Sequence, residues 1–248
     1  MRNIKLTVFD LDGTLAEIGM PMEAETIVGL RRLQARGVQV ALCSGKPVSY
    51  LCGFLRQAGL PEAIVMGENG AATQWGIELP PRRHFRLPYD KSAAIHLTKI
   101  RALIEEKIRP VPWFQPGEVV LTPFFADEAQ RKALQALIDE YVKPEMGLQV
   151  FPHADSFDIC PAGINKGVAL KRLIRELGIE KRQVAAIGDG ANDVPLWTEA
   201  GFSIRVGSKA AARVDMQVNT VWEALQALIS ASYPLRIEIE SDGVSSST

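Results

Sequence analysis

The sequence predicts an α/β protein in which a doubly wound parallel sheet forms the core and a smaller α+β domain is inserted into it. Three observations carry that expectation. Strand and helix patterns alternate at both ends of the chain, as they do when helices cover both faces of a parallel sheet. Three apolar runs, ending at Phe9, Cys43 and Ile187, stop in small polar or acidic residues: Asp10-Leu11-Asp12-Gly13-Thr14, Ser44-Gly45-Lys46 and Gly188-Asp189-Gly190-Ala191-Asn192-Asp193. Between these halves the order changes to helix, strand, strand, helix, strand, strand, which reads as a separate two-layer unit.

Taken in order, Ile4 to Phe9 is the first strand, and Glu23 to Arg36, closed by Gly37, is the first helix. A strand from Val38 to Cys43, a helix after Pro47 and a strand at Ala63 to Met66 follow. Ala71 to Leu79 has the pattern of a short hairpin turning near Trp75-Gly76. Pro80-Pro81 cannot continue a central strand and holds the preceding residue extended, so a stiff linker and a domain boundary are expected there.

In the insert, Leu97, Ile100, Ile104 and Ile108 form a helical stripe over Asp90 to Lys107. Short strands are expected at Val111 to Gln115 and Glu118 to Leu121, joined through Pro116-Gly117. Asp127 can cap a helix with the face Leu134, Leu137, Ile138 and Tyr141; Leu148 to Phe151 and Ser156 to Cys160 supply two more strands. After Pro161 the alternation resumes. Asn165-Lys166-Gly167 opens a helix that stops at Gly178, and a strand to Ile187, a helix after Asp193, a strand at Phe202 to Val206 and a last helix near Val221 to Ile229 complete it. The expected division is 1–81 and 161–231 for the core, 82–160 for the insert, and a polar, aperiodic tail at 232–248 that is expected to be disordered.

Composition narrows the function without naming it. At 248 residues, 47% hydrophobic and 23% charged, the chain can bury a large core and a smaller one. A formal net charge of −1 gives no basic footprint for nucleic acid or a membrane surface, so neither is an expected partner. No apolar run approaches the roughly 18 residues of a membrane-spanning helix, and Met1-Arg2-Asn3 leads straight into a strand, so a cytoplasmic protein is expected. The three cysteines, Cys43, Cys52 and Cys160, have no metal-like spacing and read as small buried apolar residues; a nucleophilic Cys43 would need a histidine partner.

The carboxyl ends of strands in an open parallel sheet lie along one edge, so the three polar termini are expected to converge in one crevice. Asp10 and Asp12 repel each other there unless a cation or a shared proton lies between them. The pair asks for a metal, a proton, or both. An Asp-Gly turn would explain Asp12-Gly13 taken alone, and Asp-x-Asp-Gly also occurs in calcium loops. Such a loop needs further oxygen ligands and a glutamate at its twelfth position between two helices, whereas this segment follows a strand. A turn and helix cap before Pro195 would likewise account for Gly188 to Asp193 alone. Lys166 is the odd residue, because a cation in the first turn of a helix costs about 0.3–1 kcal/mol against the helix dipole unless an anion lies close.

The motif order DLDGT (Asp10 to Thr14), SGK (Ser44 to Lys46), a lysine opening a helix (Lys166) and GDGAND (Gly188 to Asp193) resembles the haloacid dehalogenase superfamily of aspartate-nucleophile phosphatases. The likeness runs from Ile4 to Ile229, and the stretch Gly67-Glu68-Asn69-Gly70-Ala71 with the long gap after it resembles the Cof-type branch. It implies a Rossmann-like core whose inserted cap hinges as a lid. It implies that Asp10 attacks phosphorus to give an aspartyl phosphate, while Asp12 protonates the leaving alkoxide and then activates water. On this likeness Ser44, the amides near Gly45 and Lys166 are expected to hold the phosphoryl group, and Asn192 either to hydrogen-bond it or to shape the loop. Mg²⁺ fits an all-oxygen site made by Asp10, the backbone carbonyl of Asp12, and Asp189, with Asp193 in support. Lys46 stands where this branch usually has arginine and cannot make a bidentate fork, so it is given no catalytic role.

The implied activity is hydrolysis of a small phosphorylated metabolite, of sugar phosphate or phosphoglycolate type, by a monomer or homodimer. A phosphomutase of the phosphomannomutase type is the nearest alternative; Asp12 speaks against a dehalogenase, which needs no such acid. A non-catalytic α/β ligand-binding protein is the alternative of another class. It lacks a G-x-G-x-x-G after the first strand, and none of Asp10, Asp12, Lys166 and Asp189 is lost. Candidate substrate contacts in the insert are Arg82, Arg83, His84, Trp113, Phe114 and Glu118, for which a solvated linker and cap core are the ordinary explanations.

Overall fold

The computed structural model describes residues 3–208 and 212–231; the expected disordered tail lies outside them. The chain runs β1 (Leu6–Phe9), α1 (Ala24–Ala35), β2 (Gln39–Cys43), α2 (Val48–Gln57), β3 (Ile64–Gly67), β4 (Ala72–Trp75) and β5 (His84–Arg86). The insert follows as α3 (Lys91–Lys107), β6 (Trp113–Gln115), β7 (Thr122–Phe124), α4 (Glu128–Tyr141), β8 (Leu148–Pro152) and β9 (Phe157–Pro161). It returns through α5 (Lys166–Leu177), β10 (Val184–Gly188), α6 (Val194–Glu199), β11 (Phe202–Val206), β12 (Met216–Val218) and α7 (Val221–Ala231).

Eight strands form one sheet in the order β12-β11-β10-β1-β2-β3-β4-β5. Pairing is parallel from β12 to β3, and β4 and β5 are antiparallel additions. The central strands are apolar throughout because both faces are covered. Leu6 and Val8 pack with Leu170, Leu173 and Leu196 on the side of α5 and α6. Phe9, Val40 and Leu42 pack on the other side with residues of α1, α2 and α7, among them Leu30, Leu51 and Leu225.

The insert has its own core of Ile100, Ile104, Leu134, Ile138, Phe157 and Ile159. Its hairpins β6-β7 and β8-β9 are joined by bridges between Leu121 and Ile159 and between Phe124 and Ser156. The capping signals operate as the residues dictate: the Asp127 side chain accepts the Gln130 N–H at 2.8 Å, Asn165 accepts that of Val168 at 3.0 Å, and Gly178 ends α5 in the left-handed region. No helix among the described residues is long and apolar enough to cross a membrane.

Three expectations need correction, and one strand was not foreseen. Ala71 to Leu79 is not a self-contained hairpin, since β4 pairs with β3 on one side and β5 on the other. The large sheet continues past Pro80-Pro81 through β5, which is too short to show an alternation and sits at an edge where nearby prolines are tolerated. Glu118 to Leu121 is not the second strand of the insert; that strand is β7, because the amides of Glu118, Val119 and Val120 are taken by the Glu68 carboxylate. The strand β12 has no counterpart in the sequence reading.

Candidate active site

Strands β10, β1 and β2 are neighbours, so Asp10, Ser44 and Asp189 emerge side by side at their carboxyl ends. Lys166, at the start of α5, reaches into this edge and places Nζ 2.7 Å from Asp10 Oδ1 and 2.7 Å from Asp193 Oδ1. The other oxygen of Asp193 accepts the backbone N–H groups of Asp189 at 3.0 Å and Gly190 at 3.1 Å. One oxygen from each of Asp10, Asp189 and Asp193 lies within 4.8 Å of the others. Thr14 Oγ1 donates to Asp189 at 3.4 Å. Gly13 makes the close approach possible: its φ is +82°, and a Cβ there would lie 2.4 Å from Asp189 Oδ2.

Burial and charge shape the chemistry of these groups. Lys166 is 1% exposed. Burial opposes its charge, but the Asp10 and Asp193 carboxylates outweigh that and hold its pKa well above the ordinary lysine value. The apparent misplacement of a lysine at a helix start is thereby explained, because two anions sit beside it. Burial and the neighbouring Asp193 push the Asp10 carboxyl up to about 7, against the pull of Lys166. A divalent cation would draw it back down. Cys43 is fully buried and burial pushes its thiol up to about 12, so it is not a nucleophile near neutral pH.

Asp12 is not part of the carboxylate cluster. Its side chain turns outward and pairs with Lys46 at 3.2 Å, and Lys46 in turn lies 5.5 Å from the centre of the Phe124 ring. Asp10, Asp12, Ser44, Gly45, Lys46, Asp189 and Asn192 all line a cavity of about 420 Å³. The insert closes it with residues that include Gln115, Phe124 and His153. A second cavity, of about 450 Å³, lies between the start of α2, β5 and Pro116 to Glu118 and contains none of these groups.

Several residues at this junction were not anticipated. Gln115 Nε2 donates to the Gly45 carbonyl at 3.0 Å, and Asn69 Nδ2 donates to Asp158 Oδ2 at 2.7 Å. Glu68 and Asn69 both have positive φ, 52° and 57°. That unusual backbone aims two adjacent side chains at the insert, where Glu68 accepts three successive N–H groups, of Glu118, Val119 and Val120, at 2.7–3.1 Å. Two signals could have found them: Glu68-Asn69 between glycines, and the lone carboxylate Asp158 inside the apolar strand Phe157 to Cys160. Of the six residues proposed as substrate contacts from the insert, none lines this cavity. Arg82 pairs with Glu78, Arg83 stacks on Trp75 at 3.9 Å, Trp113 packs against Phe124, Phe114 lies under Arg101, and Glu118 pairs with Arg86. His84 belongs to β5 of the large sheet.

Glu68→Ala is expected to lower stability by at least about 2 kcal/mol, because it strands buried amides at about 1–3 kcal/mol each. Urea unfolding measures this, and an unchanged midpoint would contradict the role of the carboxylate as an anchor for the insert.

A family model of haloacid dehalogenase-like hydrolases matches residues 7–79 and 89–221. The chain belongs to this family. Among similar proteins, this haloacid dehalogenase-like hydrolase is 24% identical over 204 residues to the phosphoglycolate phosphatase of Methanoculleus marisnigri, covering 82% of the chain and 84% of that protein. It is 24% identical over 233 residues to the HMP-PP phosphatase of Yersinia pseudotuberculosis, with the same coverage. Solved haloacid dehalogenase-like hydrolases share its fold. One from Bacteroides thetaiotaomicron has a TM-score of 0.73 at 17% identity over 91% of this chain and 99% of that one. One from B. subtilis has a TM-score of 0.70 at 20% identity over 92% and 99%. The chain is a phosphoric monoester hydrolase, and the Cof-type likeness read from its motifs holds.

Proposed function

We propose that this haloacid dehalogenase-like hydrolase is a Mg²⁺-dependent phosphatase of small phosphorylated metabolites, acting through an aspartyl phosphate on Asp10. The observation that carries the reading is Asp10 itself: a buried carboxylate at a strand end, 2.7 Å from Lys166 and clustered with Asp189 and Asp193. Lys166 holds Asp10 in place and offsets the charge of an incoming phosphoryl group. Ser44 is 2% exposed and its Oγ accepts the Lys46 N–H at 3.2 Å, which orders the loop whose amides and hydroxyl would hold the phosphoryl oxygens. Asn192 lines the same cavity and would add a side-chain contact. Asp12 faces the open cavity, where it would meet the leaving oxygen and later the attacking water.

An all-oxygen carboxylate set suits a hard divalent cation, and Mg²⁺ fits it. Asp10 and Asp189, with the backbone carbonyl of Asp12, would hold the ion, which supplies positive charge for the phosphoryl oxygens when bound. Asp193 spends both oxygens on Lys166 and the loop amides, so its part is to hold Lys166 and the loop in place and support the site from behind. The substrate is a sugar phosphate or a phosphoglycolate-like ester, the latter being the substrate that one relative is named for. A cytoplasmic setting completes the reading, supported by three free, buried cysteines.

The test is phosphate release from a panel of phosphorylated metabolites with Mg²⁺ and with excess chelator. Turnover that chelation abolishes and Mg²⁺ restores is expected. Full activity in chelator would contradict the metal site, and transfer to a second position of a sugar in place of release would make the chain a mutase.

A further inference from the structure

The imidazole of His153, in the cavity wall, has no role in the mechanism above. His153 sits in the turn between β8 and β9, lines the cavity, and is 25% exposed. Its Nε2 lies 3.1 Å from Asp158 Oδ2, and among the described residues no protein group takes its other ring nitrogen. Asp158 is 2% exposed and held from three sides, by Thr122 Oγ1 at 2.8 Å on Oδ1 and by Asn69 and His153 on Oδ2. A carboxylate with that many donors cannot swing away, so it fixes the imidazole and stabilises its cation. Asn69 is itself anchored to the phosphate loop, through its N–H to the Ser44 carbonyl at 2.9 Å. A Cβ on Gly45 would lie 2.8 Å from Asp158 Oδ2, so the loop and this carboxylate are in close contact.

The charges around the ring support a cation on the insert's side of the cavity. Burial opposes protonation of His153, but the hydrogen bond and charge of Asp158 outweigh it and its pKa is raised. Lys166 lowers and Asp10 raises it from the core side. Lys46 is tied to Asp12, and Asp155 in the same turn accepts the Ser156 hydroxyl at 3.0 Å. Asp158 is already saturated, so His153 is the insert's cationic group facing the cavity with an uncommitted ring nitrogen.

We infer that His153, positioned by Asp158 and Asn69, selects leaving groups that carry a second anionic group over neutral ones of the same size. The inference rests on the phosphatase reading. A carboxylate and a further phosphoryl share the chemistry that would be recognised, anionic oxygens accepting from an imidazolium.

The experiment measures kcat/KM for phosphoglycolate, for ethylene glycol bisphosphate and for hydroxyethyl phosphate, whose leaving group is uncharged, with para-nitrophenyl phosphate as a separate check of phosphatase activity. The wild-type chain is expected to prefer an anionic ester over the neutral one by about tenfold or more, a factor that one charge-assisted contact can supply. The first two esters distinguish a carboxylate from a phosphoryl. His153→Gln should bring the ratio toward one, chiefly through KM of the anionic ester, and His153→Lys should restore it.

In the wild type the preference should be full at acid to neutral pH and fade as pH rises through the raised His153 pKa. Asp158→Asn should move that fading to lower pH, a shift that a purely structural role would not produce. A ratio unchanged in His153→Gln, or a wild-type preference for the neutral ester, would overturn the inference while para-nitrophenyl phosphate turnover leaves the phosphatase reading standing. Should a variant fail to fold, a wild-type ratio independent of pH is sufficient to overturn it. No hydrolysis of any ester, the aryl one included, would remove the phosphatase reading and the inference together.

Discussion

Asp10→Asn is expected to reduce kcat by at least about 10⁴-fold, the scale on which removal of a covalent nucleophile acts. The amide keeps the shape of the side chain and can still accept from Lys166, so the fold should survive. It can neither attack phosphorus nor offer an anionic oxygen to a cation. Among the described residues, loss of the charge leaves Lys166 with Asp193 as its one carboxylate partner, at 2.7 Å. Steady-state kinetics on para-nitrophenyl phosphate, with circular dichroism as the control for folding, measures the effect. A variant within tenfold of the parent would exclude Asp10 as nucleophile.

The second large effect belongs to Asp12, and its signature is a dependence on the leaving group. General acid catalysis contributes about 10²–10⁴-fold where an alkoxide must be protonated, and far less where the leaving group is already stable as an anion. Asp12→Asn should therefore lose about that factor on an alkyl phosphate and much less on para-nitrophenyl phosphate. The position of the side chain fits the assignment. Asp12 faces the cavity beside Lys46, while Asp10 lies buried against Lys166, so two carboxylates one residue apart occupy different environments. Equal losses on both substrates would assign Asp12 another role.

The core was legible because its signals are local and strong. The apolar runs at β1, β2 and β10 end in polar residues, and a parallel sheet leaves no other place for those ends than one edge. The dipole argument about Lys166 points to nearby anions from the sequence alone, and the structure supplies Asp10 and Asp193. The junction with the insert was not legible in the same way. Glu68, Asn69 and Asp158 act through contacts 50 to 89 residues apart, and no periodicity records such pairings. Val119-Val120-Leu121 reads as a strand by composition, yet Glu68 takes the amides of Val119 and Val120. Pro80-Pro81 punctuates the chain strongly, and β5 beyond it is too short to announce that the large sheet goes on. The residues expected to contact substrate were chosen for their chemistry alone. The insert residues that do line the cavity lie on β6 and β7 and in the β8-β9 turn with its flanking strand ends, a placement set by the tertiary fold.

The claim on which the rest depends is that phosphorus passes through Asp10. The stereochemical course of hydrolysis tests it most directly, using an ester made chiral at phosphorus with oxygen isotopes. Two successive in-line displacements, by Asp10 and then by water, predict retention of configuration in the released phosphate. Inversion would show a single displacement by water and would contradict the aspartyl-phosphate mechanism.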